Sequence, residues 1–155
     1  MYDKIREFLN YQGIKYVAPT KVGEDAERML AYRALGQEAR KEFTQLVTDF
    51  HQLYPQLRQD RTSQWMNQAQ LLRPHFWAYL QGEGSMADPM FALRLYGDSK
   101  DFGVSLEVSF IERKKDEESL QKQNRVLTLP VSSPVYYFAQ IEGVSQRFQG
   151  TEANR

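Results

Sequence analysis

The sequence predicts an α+β domain in which N-terminal helices pack on one face of an antiparallel sheet formed by the C-terminal half. Up to Tyr54, apolar residues recur at steps of three and four, which is typical of amphipathic helices. From His75 onward, apolar and polar residues alternate, which is typical of strands with one buried face. Helices first and strands afterwards favour α+β over an alternating α/β order.

The length and composition fit one folded unit. At 155 residues, with 41% hydrophobic and 13% aromatic side chains, the chain suffices for a single core without metal or disulfide support. We therefore assign residues 1–150 to a single α+β domain. We expect residues 151–155 to form a frayed tail, because TEANR has nothing to bury.

Charge and cysteine content restrict the function. Lysine plus arginine equals aspartate plus glutamate at 20 each, so the strong positive field of a dedicated nucleic-acid binder is missing and any such binding must be local. There is no cysteine, which excludes disulfides, thiolate zinc sites and thiol nucleophiles and favours the cytosol. The start MYDKIREFLN is charged and lacks a signal-peptide core, and no apolar run spans a bilayer. We expect a soluble, cytoplasmic protein without a membrane partner.

The N-terminal half reads as three helices. The first, Tyr2 to Gln12, is predicted to end at Gly13 in a positive-φ conformation, and a short extended piece follows. The second begins with acidic residues at Glu24 and runs to Gly36. The third starts at Ala39 and is stopped by Pro55.

The segment Arg61 to Gly82 holds both tryptophans and no carboxylate over 22 positions. Thr62 or Ser63 is a plausible N-cap for a helix that ends near Leu72, before Pro74. Phe76 to Gln81 then alternates as a strand, and a continued helix is the alternative.

The C-terminal half contains a predicted hairpin and later strands. Met90 to Tyr96 and Phe102 to Glu112 flank the turn Gly97 to Asp101 and should pair antiparallel. The charged run Lys114 to Asn124 suits a short polar helix capped by Asp116, and the last strands are Val135 to Ile141 and Val144 to Gln149, the latter at a sheet edge.

Rings and positive side chains share the acid-free segment, which indicates a stacking platform with cationic flanks for bases. The candidate ligand-binding residues are Trp65, Arg73, His75, Trp77, Tyr79 and Arg94. The alternative is that Trp65 and Phe76 belong to the core and that the glutamines and asparagines are a solvated helix face. Arg94 and Glu107 are expected to form a cross-strand ion pair.

Catalytic and metal signatures are sparse. His51 and His75 are the two histidines and lack metal-ligand spacing, and neither a nucleophile elbow nor a phosphate or dinucleotide loop occurs. We therefore assign no catalytic residue, no metal and no cofactor. Glu112 and Lys114 form an E-x-K pattern with Asp98 or Asp101 in the preceding turn, as in nucleases of the PD-(D/E)-x-K type. A metal-dependent nuclease is the remote alternative.

One family resemblance arises over Gly82 to Phe110 (GEGSMADPMFALRLYGDSKDFGVSLEVSF). This run resembles a segment in the N-terminal DNA-recognition domain of modification-dependent restriction GTPases, where a Gly-x-Gly, small polar and alanine stretch precedes proline and a hairpin. Met86 stands where that family favours an aromatic residue. The resemblance implies a non-catalytic module that reads modified or distorted DNA with a base held by rings.

The sequence therefore predicts a binding or regulatory domain without catalysis, with nucleic acid as the favoured partner. The alternative is a protein-interaction or self-association module, such as a homodimer. Its contact would be the edge strand Val144 to Gln149 or an exposed helix face around Trp65.

Overall fold

A computed structural model describes residues 2–84, 90–109, 116–128, 136–141 and 144–151. Helices dominate its first third and strands follow, so the predicted α+β class is confirmed. The helices are α1 (Asp3–Leu9), α2 (Ala26–His51) and α3 (Glu117–Asn124). The strands are β1 (Arg58–Gln59), β2 (Trp77–Gln81), β3 (Met90–Gly97), β4 (Phe102–Ser109), β5 (Tyr136–Ile141) and β6 (Val144–Gln149). Short 3-10 turns lie at Pro19–Lys21, Gly23–Asp25 and Arg125–Thr128.

The two N-terminal helices form one layer. Helix α1 buries Ile5, Phe8 and Leu9, and its end is followed by Gly13 at φ 76°, the predicted positive value. Glu42 on α2 accepts a hydrogen bond from the backbone N–H of Ile5 at 3.0 Å, which satisfies a donor that the first turn of a helix leaves free. This contact ties the start of α1 to the middle of α2.

Helix α2 is continuous, and the predicted break at Gly36 is wrong. The helix runs through Gly36, which is buried. A Cβ at Gly36 would lie 2.8 Å from Cδ2 and Cε3 of Trp65, so the missing side chain makes room for an indole. Glycine is therefore used here for close packing within a helix rather than to end it.

The main sheet has four antiparallel strands in the order β1, β2, β3, β4. The predicted β3–β4 hairpin is confirmed, with Leu93 opposite Leu106 and Arg94 opposite Ser105. Its turn begins at Gly97, whose φ of 95° is a value that glycine adopts without strain. The side chain of Asp98 closes the turn by accepting the backbone N–H of Lys100 and of Asp101.

One face of this sheet packs on the helices. The ring of Phe76 lies 5.4 Å from that of Phe8 and 5.8 Å from that of Phe43, so a single residue joins the sheet to both helices. Ala78, Leu80, Leu93 and Leu95 are buried on the same inner face. These positions follow the period-two alternation of the strands, because alternate strand residues point to one side of a sheet. Phe91, which continues the same set toward the start of β3, is 40% exposed.

The helix predicted between Thr62 and Leu72 is wrong, because the segment forms a loop. Gln70 has φ 61°, and Met66 forms an isolated bridge with Leu72. Leu71 bridges to Lys15, and the backbone N–H of Leu72 donates to the carbonyl of Ile14 at 2.9 Å. Pairing with the extended piece after α1, together with burial of Trp65, outweighs a helix propensity that differs by less than about 1 kcal/mol per residue.

The C-terminal elements refine the predicted single sheet. Strands β5 and β6 pair antiparallel as a separate two-stranded sheet. The predicted polar helix is confirmed as α3, where Asp116 accepts the backbone N–H of Ser119 at 2.9 Å. Among the described helices, none combines the length and apolar character that crossing a lipid bilayer requires.

Candidate aromatic and cationic site on the outer sheet face

Five of the six predicted site residues lie together on the face of the sheet that points away from the helices. Trp77 and Tyr79 are alternate residues of β2, and Trp77 is opposite Arg94 of β3. The rings of His75 and Trp77 are 5.6 Å apart, and the guanidinium of Arg73 lies 4.5 Å from the centre of the Trp77 ring. We call the following set the outer-face cluster: Arg73, His75, Trp77, Tyr79, Arg94, Tyr96 and Glu107.

Trp77 is the centre of the cluster. Its backbone is fixed on both sides by Ser63, whose Oγ accepts the Trp77 N–H at 3.1 Å and whose own N–H donates to the Trp77 carbonyl at 2.8 Å. A second guanidinium, that of Arg94, lies 5.7 Å from the same ring. Each cation over an indole contributes about 0.5 to 1 kcal/mol when exposed, and more when desolvated.

Arg73 reaches this ring because the loop holds it there. Its backbone N–H donates to the carbonyl of Trp65 at 3.0 Å, and its Nε donates to the carbonyl of Met66 at 3.1 Å. Partial burial lowers the pKa of Arg73, but an arginine remains charged near neutral pH. With its Nε bound to a backbone carbonyl and no ion pair to a described acid, this guanidinium keeps donors for an added ligand.

Arg94 is held by an acid. Its Nε donates to Oε2 of Glu107 at 2.9 Å, which confirms the predicted cross-strand ion pair. Ser105, directly opposite Arg94, donates its hydroxyl to Oε1 of the same carboxylate at 2.8 Å. Glu107 thus orients Arg94 and neutralises part of the positive charge on this face.

His75 sits beside two arginines. Burial lowers the pKa of its imidazole, and the positive charges of Arg94 and Arg73 lower it further, against a smaller opposing effect of Glu107. The ring is therefore neutral at pH 7. It makes no hydrogen bond within the described residues, so it offers one donor and one acceptor.

Tyr96 is a member of the cluster that was not among the predicted site residues. It follows Arg94 by two residues on β3, so it points to the same face, and its phenol lies over Gly103 of β4. It is 47% exposed. Strand alternation places Tyr96 on the same face as Arg94, but Tyr96 lies outside the acid-free segment Arg61 to Gly82 that defined the candidate site.

Trp65 is the sixth predicted residue, and it does not join the cluster. It is 7% exposed, packs against Gly36, and meets the ring of Tyr16 edge-on at 5.0 Å. The alternative prediction, that Trp65 belongs to the core, is therefore confirmed. Its contribution to the cluster is indirect, through the carbonyl that accepts the N–H of Arg73.

The structure brings together no catalytic or metal-binding site from the other candidate residues among the described ranges. Glu112 and Lys114 lie outside the described residues. The backbone N–H groups of Asp101 and Lys100 hold the pKa of Asp98 below its usual value, so this carboxylate serves the turn. His51 contacts the carbonyl of Leu57, and no set of three or more potential metal ligands comes together within the described ranges.

The fold and the cluster define an α+β protein whose sheet is covered by helices on one face and carries rings and arginines on the other. No protein-family model, curated protein or solved structure matches this chain. The resemblance over Gly82 to Phe110, of which residues 85–89 and 110 lie outside the described ranges, stays a prediction.

Proposed function

We propose that this protein binds nucleic acid, without catalysis, through the outer-face cluster. The observation that carries the proposal is a partly exposed indole on the outer sheet face with two guanidiniums over it, those of Arg73 at 4.5 Å and Arg94 at 5.7 Å. Bases stack on aromatic rings and on guanidinium planes, and arginine donors match phosphate oxygens. One small surface thus supplies partners for both the base and the phosphate of a nucleotide.

The polar atoms of the cluster support the same proposal. The indole of Trp77 and the phenol of Tyr79 make no hydrogen bond within the part of the chain that the structure describes, so they remain available to base edges or sugars. Neutral His75 adds a donor and an acceptor. These groups suit recognition by hydrogen bonds as well as stacking.

Electrostatics set the expected strength. The whole chain has zero formal net charge, and on this face Glu107 offsets Arg94, so phosphate contacts are few. With one or two such contacts, the logarithm of affinity should fall with the logarithm of salt concentration with a slope of roughly −1. Most of the binding free energy would then come from stacking, at about 1 to 3 kcal/mol per base.

The test is fluorescence anisotropy with labelled oligonucleotides at low salt. Trp77→Ala should weaken binding by roughly five- to a hundredfold, from the loss of stacking. Phe91→Ala is the matched control, because Phe91 is a 40% exposed ring on the opposite face of the same sheet and should leave binding unchanged. Absence of binding to any single- or double-stranded DNA or RNA would end the proposal.

A second candidate function is self-association, and one observation favours it. Phe91, Leu106 and Val108 are 40%, 49% and 42% exposed and lie side by side on the inner face, beyond the helices. In the described residues β4 pairs only with β3, and its one charged side chain, Glu107, is neutralised by Arg94. Two copies could therefore pair their β4 edges without charge repulsion.

This contact differs from the surface around Trp65 that the sequence suggested, because Trp65 is buried. Sedimentation velocity over a wide concentration range should show a dimer that Leu106→Glu abolishes, while Tyr54→Glu, an exposed site in the turn after α2, leaves it intact. A monomer at every concentration would contradict it.

A further inference from the structure

We infer that the nucleic acid bound by the outer-face cluster is single-stranded, with successive unpaired bases on Tyr96, Trp77 and Tyr79. This inference rests on the proposed nucleic-acid function and specifies the form of nucleic acid that binds. Three features of the described residues carry it: the spacing of the rings, the width of the sheet, and the small number of unpaired positive charges.

The spacing of the rings argues against stacked bases. Trp77 and Tyr79 are two residues apart on β2, which places their Cα atoms about 7 Å apart. Tyr96 lies on the neighbouring strand β3. Leu95 donates its backbone N–H to the carbonyl of Phe76, so Tyr96 lies beside His75, two residues before Trp77 on the neighbouring chain segment. The Cα atoms that carry successive rings are therefore about twice as far apart as the roughly 3.4 Å between bases of one strand in a duplex. Bases that use these rings must be separated from one another.

The shape of the sheet argues against reading a duplex through its grooves. The three rings lie on the two central strands of a four-stranded sheet whose width is about 14 Å. The major groove of B-form DNA is about 12 Å wide and admits a helix or a two-stranded ribbon. The rings therefore cannot reach base edges inside a groove, whereas an unpaired strand can lie flat on the sheet and present its bases to them.

The charges of this face fit one phosphate backbone better than two. Arg58 is paired with Asp60 at 3.6 Å, and Arg94 with Glu107 at 2.9 Å. Of the three arginines, Arg73 alone lacks an ion pair to a described acid. Such a surface gives little affinity for a duplex, which is held mainly by its phosphates, and leaves stacking as the main source of affinity.

The experiment compares one labelled strand of mixed sequence, about ten nucleotides long, with the same strand annealed to its complement. The single strand should bind at least about tenfold more tightly than the duplex. Tyr96→Ala and Tyr79→Ala should each weaken single-strand binding by about fivefold or more, and Tyr96→Phe should restore it because the ring is kept. Tyr54→Ala is the control, since Tyr54 is 44% exposed against 47% for Tyr96 but lies outside the cluster.

The outcomes separate the two proposals. Duplex binding that equals or exceeds single-strand binding, and that Trp77→Ala still weakens, would overturn the single-strand inference while the nucleic-acid function stands. Failure of both ligands to bind would overturn both. Unchanged single-strand affinity in Tyr96→Ala and Tyr79→Ala, with unfolding temperatures equal to that of the unaltered protein, would overturn the three-ring arrangement.

Discussion

The two tryptophans of the segment Arg61 to Gly82 have opposite surroundings. Trp65 is enclosed by Gly36 of α2 and the ring of Tyr16, whereas Trp77 stands on the outer sheet face beneath Arg73 and Arg94. The two regions are nevertheless connected, because the carbonyls of Trp65 and Met66 hold Arg73 in place. A buried ring therefore stabilises the loop that positions a guanidinium over an accessible ring.

The comparison is tested most strongly by removing each indole in turn. Trp65→Ala should lower the free energy of unfolding by about 3 to 5 kcal/mol, because it leaves a cavity in the core. Trp77→Ala should cost less than about 2 kcal/mol, since its ring is partly solvated and its contacts to arginine are individually weak. Chemical denaturation measures both. Equal losses would show that Trp77 is a core residue and would remove the contrast between the two regions.

Gly36→Ala tests the close packing of Trp65 against the backbone of α2. In an exposed helix this change stabilises by about 1 kcal/mol, but here the new methyl group would meet the indole at 2.8 Å. Overpacking costs about 1 to 3 kcal/mol, so the net effect should be destabilising by up to about 2 kcal/mol. The same change in a Trp65→Leu background should be neutral or stabilising. If Gly36→Ala is still destabilising in the Trp65→Leu background, the contact between residue 36 and the indole is not the cause.

Glu107→Gln sharpens the role of the outer face. Removing the carboxylate frees Arg94, so affinity for an oligonucleotide should rise by up to roughly fivefold and the salt dependence should steepen by about 0.7. The pair is partly exposed, and its loss should cost less than about 1 kcal/mol of stability. Glu38→Gln on α2, whose carboxylate pairs with Lys4, removes an equal charge outside the cluster and should leave the affinity and its salt dependence unchanged. A fall in affinity would show that the ion pair itself is needed for binding.

The smallest effect concerns pH. The pKa of His75 in the folded protein lies below its ordinary value of 6.5, so the unfolded chain binds the proton more readily. Stability is unaffected by this group above pH 6.5 and decreases as pH falls from 6.5 to the folded-state pKa. Thermal unfolding of His75→Gln over that range should show a shallower decline than that of the unaltered protein. Parallel curves would contradict the cationic surroundings assigned to His75.

Local pattern predicted the strands well and the loop poorly. The alternation in β2, β3 and β4 revealed both the buried residues Ala78 and Leu93 and the outward position of Arg94, because neighbouring residues of a strand must point to opposite faces. The helix predicted at Thr62 to Leu72 failed because its apolar spacing fits a helix face as well as a loop that buries one indole. The helix break predicted at Gly36 failed for a related reason, since glycine is common both at helix ends and at close contacts.

What the sequence determined by itself is therefore the order of elements, the inner face of the sheet and the concentration of rings and cations in an acid-free segment. These follow from periodicity and composition, which are properties of neighbours along the chain. Only the tertiary structure decided which tryptophan is buried, that α2 continues through Gly36, and that the guanidinium of Arg94 lies over Trp77. Those outcomes depend on contacts between residues far apart in sequence, where packing and strand register, rather than local preference, set the lowest free energy.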